Sequence, residues 1–485
     1  MVQLNTKGDD SVEIVDKQYK RMRESNIPSL IISLGIPTII TALITNIYNM
    51  ADTYFVGTLG TSEQGAVGVV FTLQFLLQAI AFTLGHGSGI YLSKHLALKE
   101  NDKASMFVST AFFTALSFGL LMLLFCGILI NPILYALGST KTILPYARQY
   151  SLCILASGPL FIASMVLNNN LRYEGRASLA MVGLVSGALL NILGDYLFVR
   201  VFGWRVIGAG LSTAISQSIS FIILLIMFLT KASSKLSIKS VSRRIKPYLL
   251  IVRAGFPSFI RNAFMSLSSG VLNQYARLIG EHEAIELGID EAYSADSTIA
   301  AMSITTRYAS FISCIGMGLG QGFQPVASFN YAIGDYKRVK QALIFTILTA
   351  IGLVFLVSFT GIIYPKGIAK IFNDDPYVIK LATKSIRYAS MFASIIPITV
   401  LANMLYQSIR KSEIASVLAM LRSGLILIPV IIINYYAGFG FNGIALATPI
   451  SDLISAFISL PFLIVFVLKK SKKENSEILN NTIDN

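Results

Sequence analysis

Twelve long apolar stretches run through this chain, parted by short polar connections, and none alternates apolar and polar positions as a half-buried strand would. Runs of about twenty residues suit helices that cross a hydrocarbon core roughly 30 Å thick, and they are too long for the strands of a membrane barrel. The pattern predicts spans from Ile27 to Val56, Gln64 to Ile90, Met106 to Ile130, Ala147 to Asn170, Ser178 to Val199 and Ile207 to Leu229. Six more are predicted from Tyr248 to Leu278, Tyr293 to Val326, Val339 to Ile363, Leu381 to Ser408, Ile414 to Tyr436 and Asn442 to Leu468. The expected fold is an all-α integral membrane protein of twelve transmembrane helices in two pseudo-symmetric six-helix bundles.

A Ser- and Lys-rich break divides the spans six and six. The expected organisation is an N-terminal segment over 1–26, an N-lobe over 27–230, a basic linker over 231–247, a C-lobe over 248–468 and a tail over 469–485. The two halves read as copies. Leu34-Gly35-Ile36-Pro37 opens one and Ala254-Gly255-Phe256-Pro257 the other, while the sixth and twelfth spans start with the related runs Gly208 to Ser216 and Gly443 to Ser451. Six spans per half make the repeats parallel, which suits a cleft between two bundles and alternating access.

Composition narrows the class without changing it. Of 485 residues 54% are hydrophobic and only 13% charged, half the charge fraction of ordinary soluble domains. Cys126, Cys153 and Cys314 lie in apolar runs without metal or redox spacing and read as small core residues. The net charge of +14 is gathered in alternate connections: before Ile27, at Lys94 to Lys103, at Arg172 and Arg176, from Lys231 to Arg253, and so on to Lys469. By the positive-inside rule this is a topology signal that puts both termini in the cytoplasm of a cell (inner) membrane protein, and it gives no reason to expect a nucleic-acid partner. No cleavable leader is expected, since the first 25 residues are polar.

Acidic residues are nearly absent from the spans, and Asp52, Asp195 and Asp452 stand out. A carboxylate in the bilayer is costly unless it is paired, hydrated or binding a cation, so each marks a candidate site. Asn191 and Asp195 stand four apart on one face of the fifth span, where the eleventh span has only Asn434. The first and fifth spans run in the same direction, so Asp52 and Asp195 fall at similar depth, with Thr213 opening the sixth span and Tyr150 early in the fourth. Oxygens of this kind suit a hard monovalent cation, and close carboxylates also hold a proton. The other buried charges read differently. Arg422 and Asp452, on adjacent spans, are expected to form a structural ion pair, with Gln217 the neutral counterpart of Asp452. Arg261 and Arg307 are candidates for contact with substrate or lipid.

Several motifs then carry a family resemblance: Tyr48 to Gly57, Leu190-Asn191-Ile192-Leu193-Gly194-Asp195, Gly318 to Pro325, Asn330 to Gly334, and Phe256 to Arg261. From about Ile27 to Leu468 the chain resembles the multidrug and toxic compound extrusion (MATE) family, in its bacterial MepA-like branch. The resemblance implies a secondary active transporter, not an enzyme: an antiporter exporting amphipathic, cationic drugs or toxic organic compounds against inward-moving Na⁺ or H⁺. It implies a coupling-ion site at Asp52, Asn191, Asp195 and Thr213, with Tyr150 nearby. No catalytic residue and no prosthetic cofactor are expected, and a monomer in the lipid bilayer is. Some family members place acidic coupling residues in spans matching the seventh and tenth; here the seventh has Arg261 and the tenth no acid, so coupling is assigned to the first half. The alternative is a flippase of lipid-linked saccharides or lipids, which the arginines would suit. An importer of the same fold, or a membrane enzyme, is the further rival, yet His86, His95 and His282 are scattered and no dyad or diphosphate motif is present.

Overall fold

A computed structural model describes residues 16–137 and 139–469, which are helical throughout apart from short connections and contain no strand. The expected N-terminal segment is described only from residue 16, and the expected tail, Lys469 apart, lies outside the described residues. The spans are Ile27–Gly57, Thr61–Ala97, Asn101–Ile128, Leu144–Tyr173, Ala177–Asp195 and Arg205–Lys231, then Ile245–Leu287, Glu291–Ala332, Tyr336–Ile363, Pro376–Phe392 with Ile396–Ser408, Ser412–Met420 with Leu427–Tyr436, and Gly440–Leu468. They are called the first to twelfth spans below. Local chemistry sets many of the ends. Proline stands in the opening turn of the first, fourth and tenth spans, where its missing N–H costs nothing. Asp290, Asp335 and Asp375 accept backbone N–H bonds as N-caps of the eighth, ninth and tenth spans. Gly288, at φ 64°, ends the seventh.

Among the described residues ten helical segments are long and apolar enough to cross a membrane, and the seventh and eighth spans, of 43 and 42 residues, are not among them. The reason is a polar face on each: Asn262, Ser268 and Ser269 on one and Thr305, Thr306 and Ser310 on the other line the central cavity. Four features go beyond the hydrophobic pattern. A helix over 16–24 precedes the first span, its Gln18 amide donating to the Glu174 carbonyl at 2.7 Å and its Tyr19 ring meeting Phe329 at 5.4 Å. Short helices Ile130–Ala136 and Pro365–Phe372 fill corresponding connections before the fourth and tenth spans. The tenth span is broken by a 3₁₀ turn at Ala393–Ile395, ahead of Pro397. The fifth and eleventh spans widen into π-turns at Tyr196–Val201 and Leu421–Leu425.

One face of the bundle carries the basic connections, and there the first six spans and the last six pack backbone to backbone. A Cβ on Gly87 would lie 2.0 Å from the Ile251 carbonyl oxygen, and one on Gly255 would lie 1.8 Å from that of Thr83. Only glycine permits that approach. The Ser93 hydroxyl donates to the Pro325 carbonyl at 3.3 Å and the Ser328 hydroxyl to that of Ile90 at 3.1 Å. Apolar side chains fill the same seam, where Ile27, Leu30, Ile31 and Leu34 share a core with Leu319, Phe323 and Leu401. At mid-depth the Asn46 amide donates to Cys314 Sγ at 2.8 Å. Around that depth the two sets of spans enclose a cavity, which reaches Arg172 near the basic end of the fourth span and Thr53 toward the opposite face.

Candidate functional site

The cavity has two connected chambers that share Thr45, Asn46, Phe75 and Gln78 in their walls, with volumes of about 330 Å³ and 410 Å³. The smaller chamber is walled by Tyr48, Asn49, Asn191 and Thr213 on one side and by Arg307 and Phe311 of the eighth span on the other. Beside it the residues singled out in the sequence converge. Asp52, Tyr150, Asn191, Asp195 and Thr213 are all at most 3% exposed. They come from four helices, the first, fourth, fifth and sixth spans.

The hydrogen bonding is incomplete in one consistent way. Tyr150 Oη donates to Asp52 Oδ2 at 2.9 Å. The Asn191 amide donates to Thr213 Oγ1 at 3.1 Å and to Ser212 Oγ at 3.3 Å, and Ser212 Oγ donates to the Asn191 carbonyl at 2.9 Å. Thr213 Oγ1 donates to the Ala209 carbonyl at 3.1 Å. The donors are therefore spent on one another and on backbone. Asp52 Oδ1, Asn191 Oδ1 and both Asp195 oxygens are left as buried acceptors without a well-formed hydrogen bond. The two carboxylates also lie within electrostatic reach of each other. An unpaired buried carboxylate costs several kcal/mol, and two together cost more, so this arrangement can accept a proton or a small cation among its oxygens. Among the described residues no group of three or more His, Cys, Asp and Glu side chains forms a metal site.

The remaining sequence candidates fall elsewhere. Arg422 Nε donates to Asp452 Oδ1 at 2.5 Å, and both line the larger chamber. Gln217, in the place corresponding to Asp452, accepts from the Ser157 hydroxyl at 2.9 Å. Arg307 reaches the smaller chamber, whereas Arg261 sits in the seam with its Nε buried and unpartnered. Two residues of the carboxylate site are given no role there in the sequence reading. Tyr48 lies one helical turn before Asp52 and within reach of both carboxylates, and Ser212 orients Asn191. The four-residue spacing from Tyr48 to Asp52 is the signal that points to the first; the second is one of several serines in its span and carries none. Arg172 is corrected outright. It reads as a basic connection residue, but it is 6% exposed and lines the cavity.

Fold and cavity define a multi-pass membrane transporter rather than an enzyme. The MatE family model matches residues 37–197 and 292–433, more than half of the chain, and the chain belongs to that family. The multidrug export protein MepA of Staphylococcus saprophyticus is 26% identical over 458 residues, which is 94% of this chain and 97% of that one. MepA of Staphylococcus aureus strain NCTC 8325 is 25% identical over the same coverage. A multidrug resistance MATE transporter of the MOP superfamily, solved in an outward-facing conformation, matches with TM-score 0.85 at 20% identity over 94% of this chain and 99% of its own. A MOP superfamily transporter from Pyrococcus furiosus matches with TM-score 0.84 at 20% identity over 92% and 97%.

Proposed function

We propose that this chain is an antiporter that exports amphipathic drugs or toxic organic compounds by alternating access, driven by Na⁺ or H⁺ bound at Asp52, Asn191, Asp195 and Thr213 with Tyr150 alongside. The observation that carries the reading is the set of four buried oxygens without a well-formed hydrogen bond, on Asp52, Asn191 and Asp195, next to a cavity walled by both sets of spans. The named activity of the MepA relatives, multidrug export, supports the substrate class.

In this reading the first six spans and the last six are two lobes with the basic face in the cytoplasm, working as a monomer in the cell membrane. With the basic face in the cytoplasm, the close glycine contacts of the seam close the cytoplasmic side, and the smaller chamber, beside Asp52, lies nearer the outside. A cation arriving from outside replaces its hydration with the carboxylate and amide oxygens, and the first span repacks against the fifth and sixth. Ion and substrate must favour different conformations for exchange to follow, since a ligand that binds both equally shifts nothing. Ion-driven efflux of a fluorescent dye from vesicles, under separate Na⁺ and H⁺ gradients, tests the assignment. Asp52→Asn and Asp195→Asn should each abolish coupling; undiminished coupled efflux in both variants would remove the site.

A further inference from the structure

The cavity wall carries charge of the wrong sign for a cationic substrate. Its charged side chains are Arg307 in the smaller chamber and Arg172, Arg422 and Asp452 in the larger, and Asp452 is already bound to Arg422. Asp52 and Asp195 are not part of the wall. Arg172 and Arg307 are thus positive charges on the wall with no carboxylate partner among the described residues.

Arg172 is the more telling of the two. It closes the fourth span but turns inward, where its guanidinium donates to Gln321 of the eighth span and to Asn169 of its own. Both acceptors are neutral amides, and Nε has no partner. Arg261 of the seventh span, its own Nε buried and unpartnered, stands within electrostatic reach of Arg172. The neighbouring Tyr173 ring is 6.1 Å from the His86 imidazole, and its hydroxyl is also unpartnered. Two guanidinium groups, one from each half of the chain, are therefore within electrostatic reach of each other, and neither has a carboxylate ion-pair partner among the described residues. Buried arginine is best accommodated when a carboxylate or phosphate accepts its fork, and among the described residues Arg172 has only the two amide oxygens.

We propose that this seam is a binding site for the oxyanion head, carboxylate or phosphate, of an amphipathic ligand whose apolar part lies in the larger chamber. The inference rests on the cavity being the transport path. Arg172 makes the contact, and Arg261 adds field from the opposite half. Occupancy cancels the repulsion between the halves and favours their closure on the basic face. An anionic ligand entering from that side thus shuts the seam behind itself.

The test uses full-length protein in phosphatidylcholine nanodiscs without any ion gradient, titrated with a dansylated fatty acid and with its methyl ester. A charge-assisted hydrogen bond is worth about 1.5–3 kcal/mol, so the acid should bind at least about tenfold more tightly than the ester. Arg172→Gln should bring the two affinities together by weakening the acid far more than the ester. Arg172→Lys, which keeps the charge and loses the fork, should retain part of the preference. Arg261→Gln should weaken the acid alone, and it carries the test should Arg172→Gln fail to fold. Phosphatidylglycerol added to the nanodisc separates the sources: displacement of the acid identifies a lipid headgroup, and retention a soluble amphipath. Equal affinities for acid and ester in the native protein, or a preference untouched by both glutamine variants, would overturn the proposal. Because no gradient is used, that result leaves ion-coupled efflux standing, and loss of coupling in the aspartate variants leaves this site standing.

Discussion

Replacing Asp195 by Asn should make the ligand-free protein more heat-stable while erasing its response to the coupling ion. Asp52 keeps one bond to Tyr150 at 2.9 Å, but neither oxygen of Asp195 has a well-formed donor, so Asp195 is the less compensated charge. A unit charge about 4 Å from a cation contributes about 4 kcal/mol at an effective dielectric of 20. The Asn amide oxygen returns about 1 kcal/mol as a neutral ligand. The net loss of about 3 kcal/mol corresponds to about a hundredfold weaker ion binding. At an ion concentration of 100 times the native dissociation constant, binding stabilises the native protein by about 2.7 kcal/mol; in the variant the same concentration gives about 0.4 kcal/mol. The gain without ion comes from removing one of two buried carboxylates that repel each other. Thermal unfolding followed by circular dichroism, across a Na⁺ series and a pH series, reads both effects. An unchanged ion-dependent shift in Asp195→Asn refutes the reasoning, as does native protein that responds to neither Na⁺ nor pH.

What the sequence reveals here and what it hides follow from the same physics. Twelve helices are legible because a bilayer demands long apolar runs, and each buried acid is legible because the bilayer penalises it. The convergence of Asp52 with Asn191 and Asp195 follows from span direction and helical spacing, both of which a pattern preserves. Tyr48 escapes because tyrosine is ordinary in a span and its role depends on distance to two carboxylates in space. Arg172 escapes for a related reason. One residue from the end of its span, it has the address of a topology signal, and only the inward turn of a long side chain places it in the cavity. The polar faces of the seventh and eighth spans lower their hydropathy, and those faces line the cavity that the other spans surround. The π-turns and the 3₁₀ break leave the hydrophobic period intact over most of each helix, so periodicity does not register them.

Two further predictions separate the roles of seam and cavity. Gly255→Ala places a methyl group 1.8 Å from the Thr83 carbonyl oxygen, a backbone atom that cannot swing aside. The halves should then part on the basic face, and in a background lacking the native cysteines, alkylation of a cysteine at position 93 should rise; unchanged labelling would show that the contact does not close the protein. Asp452→Asn should lower stability, since it leaves the Arg422 guanidinium facing the cavity without its partner at 2.5 Å. Breaking a fully buried pair costs about 3–5 kcal/mol, but the Arg422 side chain is 22% exposed and partly hydrated, so a loss nearer 2–3 kcal/mol is expected. Replacing both residues, Arg422→Met with Asp452→Leu, removes the stranded charge and should restore native stability or exceed it. A thermal-unfolding cycle over the two single variants and the double variant measures the coupling. If Asp452→Asn is neutral and the double variant gives no recovery, Asp452 is not what balances Arg422, and the charge ledger of the cavity wall that singles out Arg172 has to be redrawn with a free carboxylate in it.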